Sequence, residues 1–385
     1  MITAPEGVIE LANELAKVPV FALDTEFIRE TSFFPRIALI QIATAEKVWL
    51  IDPTVLSKSE LMPLIQNLVD PKILKVLHAS HADQECFFWS YDVVANPVLD
   101  TSVAAALCGM GDSIGLQKLL REVLGVHVSK GRARAKWLNR PLSNELLHYA
   151  EQDVAHLVRL GEELRERLET LGRWEWALEE SLIDPHQFEV SPEEMAMKIA
   201  KGAHLHQEES VLAELIRWRE SRARDANLPR GWIADNEVLV ALARSQPQSL
   251  EELKTFRGIH AKEIERSGKK ILEAIAEGKL KSKPRLQPDK REIIRVDPYA
   301  ADLIQTYIYF LAGKHKIMPR YLMNQHQAHQ LLSHPELSKE EWVSIGALTP
   351  RAAELIGDDL VDFFHGKKAL RIINKRLAIV DLDPT

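Results

Sequence analysis

Two carboxylates set two residues apart, Asp24 and Glu26, close the apolar run in LDTEF. Residues i and i+2 of a strand project to the same side, so both acids face one point. Two anions held together away from water are costly unless a cation neutralises them. Much further along, Ser143 opens SNELLHYAEQDV, where Tyr149 and Asp153 stand four apart and share a helix face. A carboxylate that holds a cation, beside a phenol that positions a water, suits a hydrolytic metal site. A third stretch, VLHASHADQECFF, puts Asp83 on a helix just after an apolar strand. Singly, each stretch is also what a solvated strand end or a surface Asp beside a half-buried Tyr would give. Jointly, Asp24, Glu26, Asp83 and Asp153 could bind two divalent ions about 3.5–4 Å apart across a scissile phosphate. Such an oxygen-rich set calls for magnesium or manganese, and His78 and His81 are expected to be structural.

The elements that must position these groups alternate between strand and helix. Residues 20–23 form a short apolar run, and 37–43 with 48–52 predict a hairpin. Helical periodicity covers 56–68 and 81–89, with strands at 73–77 and 97–99. Asp112 or Ser113 is a candidate cap for a helix ending at Leu124. One long helix is expected from Ser143 to Leu168, then another from Trp174 to about Leu182. The early hairpin makes the predicted sheet mixed rather than purely parallel.

At 385 residues the chain predicts two or three domains. With 46% hydrophobic and 27% charged residues it has the composition of an ordinary globular protein. No stretch reaches the roughly 18 apolar residues of a membrane helix, and the opening residues lack the pattern of a signal peptide. Cys86 and Cys108 are too few for a disulfide framework and fit a reducing compartment, so a cytoplasmic location is expected. The net charge of −7 is uneven: residues 1–205 hold about 20 basic and 30 acidic side chains, the remainder about 29 and 26. An acidic part tied to a mildly basic one suits a carboxylate site beside a nucleic-acid grip. Within VHVSKGRARAKWLNRP, Lys130, Arg132, Arg134, Lys136 and Arg140 occur with no acid among them and with Trp137 interleaved. This stretch is expected to hold phosphates and a stacked base.

Beyond residue 190 the strand signals stop. Helices are expected over 208–224, 237–244, 249–255 and 261–276, followed by a polar, Pro-containing linker over 278–297 and a second all-helical block to about residue 374. The two blocks echo each other. LPRGWIADN matches MPRYLMN, and the interval from Pro229 to Gly268 is 39 residues against 38 from Pro319 to Gly357.

The strings LDTEF, LHASHADQECF and YAEQDV resemble the three motifs of the DEDD 3′–5′ exonuclease superfamily. DTEFIRETSFFPRIALIQIA and WLNRPLSNELLHYAEQDVAHL are similar to those of the ribonuclease D family. Residues 207–280 resemble the HRDC module of ribonuclease D and RecQ helicases, and 297–375 a more divergent second copy. The resemblance implies an α/β ribonuclease H-like exonuclease domain over residues 1–200, followed by two all-α HRDC-type domains. It implies metal-binding Asp24, Glu26, Asp83 and Asp153, with Tyr149 orienting or deprotonating the attacking water, and leaves Asp100 a structural role. One branch of the superfamily replaces this Tyr by a His one residue earlier, and this chain has both, His148 and Tyr149. On a continuous helix Tyr149 lies about 40° from Asp153 and His148 about 140°, which selects Tyr149.

The expected activity is a metal-dependent 3′–5′ exoribonuclease that uses two Mg²⁺ (or Mn²⁺) and releases nucleoside 5′-monophosphates, and a monomer is expected. Its expected substrate is RNA, chiefly tRNA precursors with 3′ extensions, and Arg217, Arg219, Arg222 and Arg230 are candidates for holding the structured part. Two alternatives stay open at this point: a DNA exonuclease on the same fold, and a non-catalytic nucleic-acid adaptor. A helicase is not expected, because no GxxxxGK[ST] loop occurs.

Overall fold

The structure, a computed structural model, describes residues 1–128, 135–205, 208–281 and 296–382. After α1 (Pro5–Leu15), strands β1 (Val20–Ile28), β2 (Arg36–Ala43) and β3 (Val48–Ile51) form an antiparallel meander. Helix α2 (Lys58–Leu68) leads to β4 (Leu74–Leu77), and α3 (His81–Tyr91) leads to β5 (Val98–Asp100). Both late strands run parallel to β1, so the sheet is mixed, in the order β3-β2-β1-β4-β5. The strand that carries Asp24 and Glu26 is therefore central. Its partner β4 matches only Val20 to Ala22, so the two acids lie beyond the end of β4.

The two sheet faces are covered differently. Phe21, Leu23, Ile40 and Ile42 pack into one core with α1, α2 and α3. Ala22, Ala43, Val76 and Leu99 face α4 (Thr101–Leu107), α5 (Leu116–Leu124), α7 (Leu157–Thr170) and α8 (Trp174–Ser181). Between α5 and α7 lies α6 (Asn144–Ala155), which packs over β1, β2 and β3. Ser143 caps it as expected, its hydroxyl accepting from the Leu146 amide at 3.3 Å. The single long helix expected to run to Leu168 is instead broken at His156, whose φ is −112°. With α6 over β1–β3 and α7 over β1 and β4, the break lets the two pieces follow the twist of the sheet. Helix α5 begins after Gly115, later than the Asp112 or Ser113 cap expected.

Helices α9 (Pro192–Ala203), α10 (Glu209–Ala226), α11 (Arg230–Ile233), α12 (Asn236–Ser245), α13 (Leu250–Lys254) and α14 (Ala261–Leu280) build a separate core around Ala196, Ala200, Leu212, Ile216, Leu239 and Ile271. Thus α9, an unexpected helix that straddles the expected domain boundary at residue 200, packs into the first helical block. The second block repeats the order of α10 to α14 with α15 (Pro298–His315), a 3₁₀ turn at Pro319–Tyr321, α16 (Gln325–Ser333), α17 (Lys339–Ser344) and α18 (Pro350–Phe364). The two matched glycines occupy matching places. A Cβ on Gly268 would stand 2.6 Å from Leu250 of α13, and one on Gly357 would stand 3.1 Å from Lys339 of α17. The second block is not all helix, for β6 (Lys368–Ile373) and β7 (Arg376–Asp381) form a closing hairpin.

Both blocks are joined to the catalytic domain. Ile304, Tyr307, Leu311 and Ile317 share one core with Ala104, Leu107, Leu164 and Trp176. Arg173 ties the seam, donating to the carbonyls of Leu107 (2.6 Å), His315 (2.6 Å) and Lys316 (3.0 Å). On the first block, Asn227 has a left-handed φ of 49°, and its Oδ1 accepts from the amides of both Phe33 and Phe34 at 3.1 Å. The guanidinium groups of Arg224 and Arg230 lie 5.4 and 4.5 Å from the Phe33 ring centre.

Candidate metal centre and nucleic-acid interface

Asp24 and Glu26 project from the face of β1 that α6 covers, and α6 brings Asp153 towards them. Asp83 arrives from the other direction, on the first turn of α3. Thr25, between the two strand acids, binds it: the Thr25 amide donates to Asp83 Oδ1 at 3.1 Å and the hydroxyl to the same oxygen at 2.5 Å. The turn that aims α3 is strained, with Ala79 at φ 55°. Asp100 holds it in place, accepting from the amides of Ala79 (2.9 Å) and Ser80 (2.8 Å) while capping α4 through Ser102. Asp100 is thus structural, as expected. So is His78, whose Nδ1 pairs with the Thr101 hydroxyl at 2.9 Å.

The electrostatics follow from crowding. Burial, then the charges of Asp83, Asp153 and Glu26, raises the Asp24 carboxyl well above the usual range. Burial, with Asp153 and Asp83, pushes Glu26 up to about 8. Asp83 is raised by burial against the opposing pull of its Thr25 hydrogen bonds. Asp153 is pushed up to about 6 by burial, although the Tyr149 hydroxyl bonded to it works the other way. The same burial, then the Asp153 charge, drives the Tyr149 phenol far above an ordinary tyrosine. His148 points to solvent.

Four crowded carboxylates and a phenol are an all-oxygen donor set, which fits a hard divalent cation. Among the described residues, no three His, Cys, Asp or Glu side chains converge as a ready-made cage for one ion. Magnesium does not require one, since one or two carboxylates commonly hold it while waters and substrate phosphates complete its octahedron.

The expected phosphate grip divides. Lys130, Arg132 and Arg134 lie outside the described residues, and Lys136 is exposed. Trp137 is a correction: it is fully buried, 6.1 Å from the Tyr149 ring centre, with no face free to stack a base. Arg140 is another, because its guanidinium is spent on Asp52 (2.8 Å from Nη2 to Oδ1) and on the carbonyls of Ala38 and Trp137. Trp137 and Arg140 together buttress the floor under α6. The helical-block arginines are likewise engaged. Arg217 pairs with Glu193 and Glu214, buried Arg219 with Glu220, Arg222 with Glu263 and Arg230 with Glu220. Asp52, Glu193 and Glu263 are distant in sequence and are brought to their arginines by folding, whereas Glu214 and Glu220 stand on α10 itself.

A family profile described as 3′–5′ exonuclease matches residues 1–169, and one described as HRDC domain matches residues 208–275. The chain is 31% identical to ribonuclease D of Gluconacetobacter diazotrophicus, over 87% of this chain and 86% of that protein. It is 30% identical to ribonuclease D of Acidiphilium cryptum, over 99% and 97%. The chain belongs to the ribonuclease D family. The crystal structure of Escherichia coli RNase D, described as an exoribonuclease involved in structured RNA processing, superposes with a TM-score of 0.77 at 29% identity, covering 95% of this chain and 98% of that one. The ribonuclease D relationship makes this chain a 3′–5′ exoribonuclease, of a family that uses divalent metals. Among the described residues, no helix is long and apolar enough to cross a membrane.

Two groups at the centre were not singled out in the sequence. Thr25 gave no signal beyond lying between two acids. Gln41 did, as the one polar residue within IALIQIA.

Proposed function

We propose that the chain trims the 3′ ends of precursor tRNA by a two-metal-ion mechanism, as a monomer in the cytoplasm. Asp24, Glu26, Asp83 and Asp153 would hold the cations. The observation that carries this reading is the set of four carboxylates from three segments, crowded together where the central strand β1 runs past the end of β4, with no basic partner among their hydrogen bonds to the described residues. Bound divalent ions would supply Lewis acidity, lowering the pKa of the attacking water and stabilising charge on the leaving 3′ oxygen. Tyr149 donates a hydrogen bond to Asp153, which leaves the phenol oxygen free to accept a hydrogen bond from that water. Its raised pKa favours this orienting role over proton abstraction. Thr25 keeps Asp83 turned towards the strand acids. Lys136, with Lys130, Arg132 and Arg134 beside it in sequence, is proposed to supply phosphate contacts behind the 3′ end.

Digestion of a tRNA precursor with a 3′ extension, with magnesium or with chelator, tests the reading. Stepwise loss of nucleoside 5′-monophosphates that stops near the mature end and disappears in chelator is expected. A DNA strand of the extension's sequence should be cut far more slowly. Equal rates on both would favour the DNA exonuclease, and RNA binding without cleavage would favour the adaptor.

A further inference from the structure

Gln41 occupies an unusual place for a glutamine. It lies mid-strand in β2, pairs directly across the ladder with Asp24 of β1, and faces Leu50 of β3 on its other side. Its side chain is completely buried, and neither Oε1 nor Nε2 has a hydrogen-bond partner. The flanking residues on its own face, Leu39 and Ala43, are apolar and offer the amide nothing. A buried carboxamide without partners is destabilising, and an apolar residue of similar shape would serve the core better. Side chains directly opposite in an antiparallel pair have Cβ atoms about 4.5–5.5 Å apart, which puts the Asp24 carboxylate within reach of the amide after small rotations.

We propose that Gln41 is a positioning residue for the cation site, its Nε2–H donating to the Asp24 carboxylate and fixing the direction in which that carboxylate meets a divalent ion. The inference rests on the reading of Asp24 as a metal ligand. It gives a partner to a buried amide whose Oε1 and Nε2 otherwise have none. Hydrogen-bond partners that orient metal ligands typically tune affinity by about 10–100-fold.

The test uses the full chain with Gln41→Leu, Gln41→Met and, as a control, Asp24→Asn. Manganese affinity is read from free Mn²⁺ by electron paramagnetic resonance, and thermal midpoints are measured in EDTA. The expected result for the Gln41 variants is at least about tenfold weaker Mn²⁺ binding, with a midpoint in EDTA at or above that of the unsubstituted protein. Gln41→Met keeps an unbranched side chain and carries the test if Gln41→Leu fails to fold. Affinity unchanged in a folded Gln41 variant, or midpoints in EDTA lowered in both, would overturn the inference. If Asp24→Asn binds Mn²⁺ as tightly as the unsubstituted protein, the metal-ligand reading itself fails and Gln41's role falls with it. If only the Asp24→Asn variant loses affinity, that reading stands and the role of Gln41 alone is rejected.

Discussion

The Tyr149 hydroxyl is hydrogen-bonded to the carboxylate of Asp153 one helical turn further on, while the neighbouring His148 faces solvent. Tyr149→Phe should therefore lower kcat by about a hundredfold or more, the scale of a positioned proton-handling group. His148→Ala should keep most of the activity. Single-turnover rates on one RNA oligomer would compare them, and the reverse order of effects would transfer the role to His148.

The raised carboxyls set the sign of a pH dependence. Glu26 is pushed up to about 8 and Asp153 to about 6, whereas unfolded Asp and Glu titrate at about 4. Between those limits the metal-free native protein holds more protons than the unfolded chain, so its stability falls as pH rises. The thermal midpoint in EDTA should drop between about pH 5 and 8. Saturating magnesium should flatten that drop, because the ion then replaces the protons. Identical profiles with and without the metal would contradict the assignment of these acids to a cation site.

Arg140 presents the opposite case, a cation committed to the fold. Arg140→Ala would strand Asp52, whose side chain is 2% exposed, and should cost about 3 kcal/mol in urea unfolding. Burial opposes ionisation of Asp52, but the Arg140 and Thr54 hydrogen bonds outweigh it and hold the carboxyl below its usual range. A variant of unchanged stability with weakened RNA binding would return Arg140 to the phosphate grip.

Salt titrations separate the two groups of basic residues. Replacing Lys130, Arg132, Arg134 and Lys136 by Gln should weaken RNA binding and flatten the slope of log affinity against log salt by about 0.7 per lost single-strand phosphate contact. Arg222→Gln should leave the slope intact and instead lower stability, because it leaves the Glu263 carboxylate without its cation and only the Ser267 hydroxyl as a donor. A flattened slope for Arg222→Gln would restore the helical block as an electrostatic grip.

What was legible in the sequence depended on range. The strand that carries Asp24 and Glu26, the hairpin after it and the Ser143 cap are local patterns and stand where the sequence placed them, except that the strand runs on to Ile28. The break at His156 was not legible, because no Gly or Pro marks it and the reason is the twist of a sheet built from residues far upstream. The basic residues misled for the same reason. Arg140 and Asp52 are 88 positions apart, and Arg222 and Glu263 are 41 apart. Trp137 read as a stacking surface because its burial depends on α6 closing over it. Asp83 was found by motif, but Thr25 and Asp100, which aim it, act through tertiary contacts.

The seam through Arg173 has a consequence for biosynthesis. The catalytic sheet emerges from the ribosome first, yet the end of α4 is tied to residues at the end of α15: the Met318 amide donates to the Ala106 carbonyl at 3.1 Å, and Arg173 bridges the carbonyls of Leu107, His315 and Lys316. A nascent chain can thus pair its strands early but must wait for α15 before that seam closes. A product truncated before α15 would carry all four candidate carboxylates on a scaffold whose seam is still open.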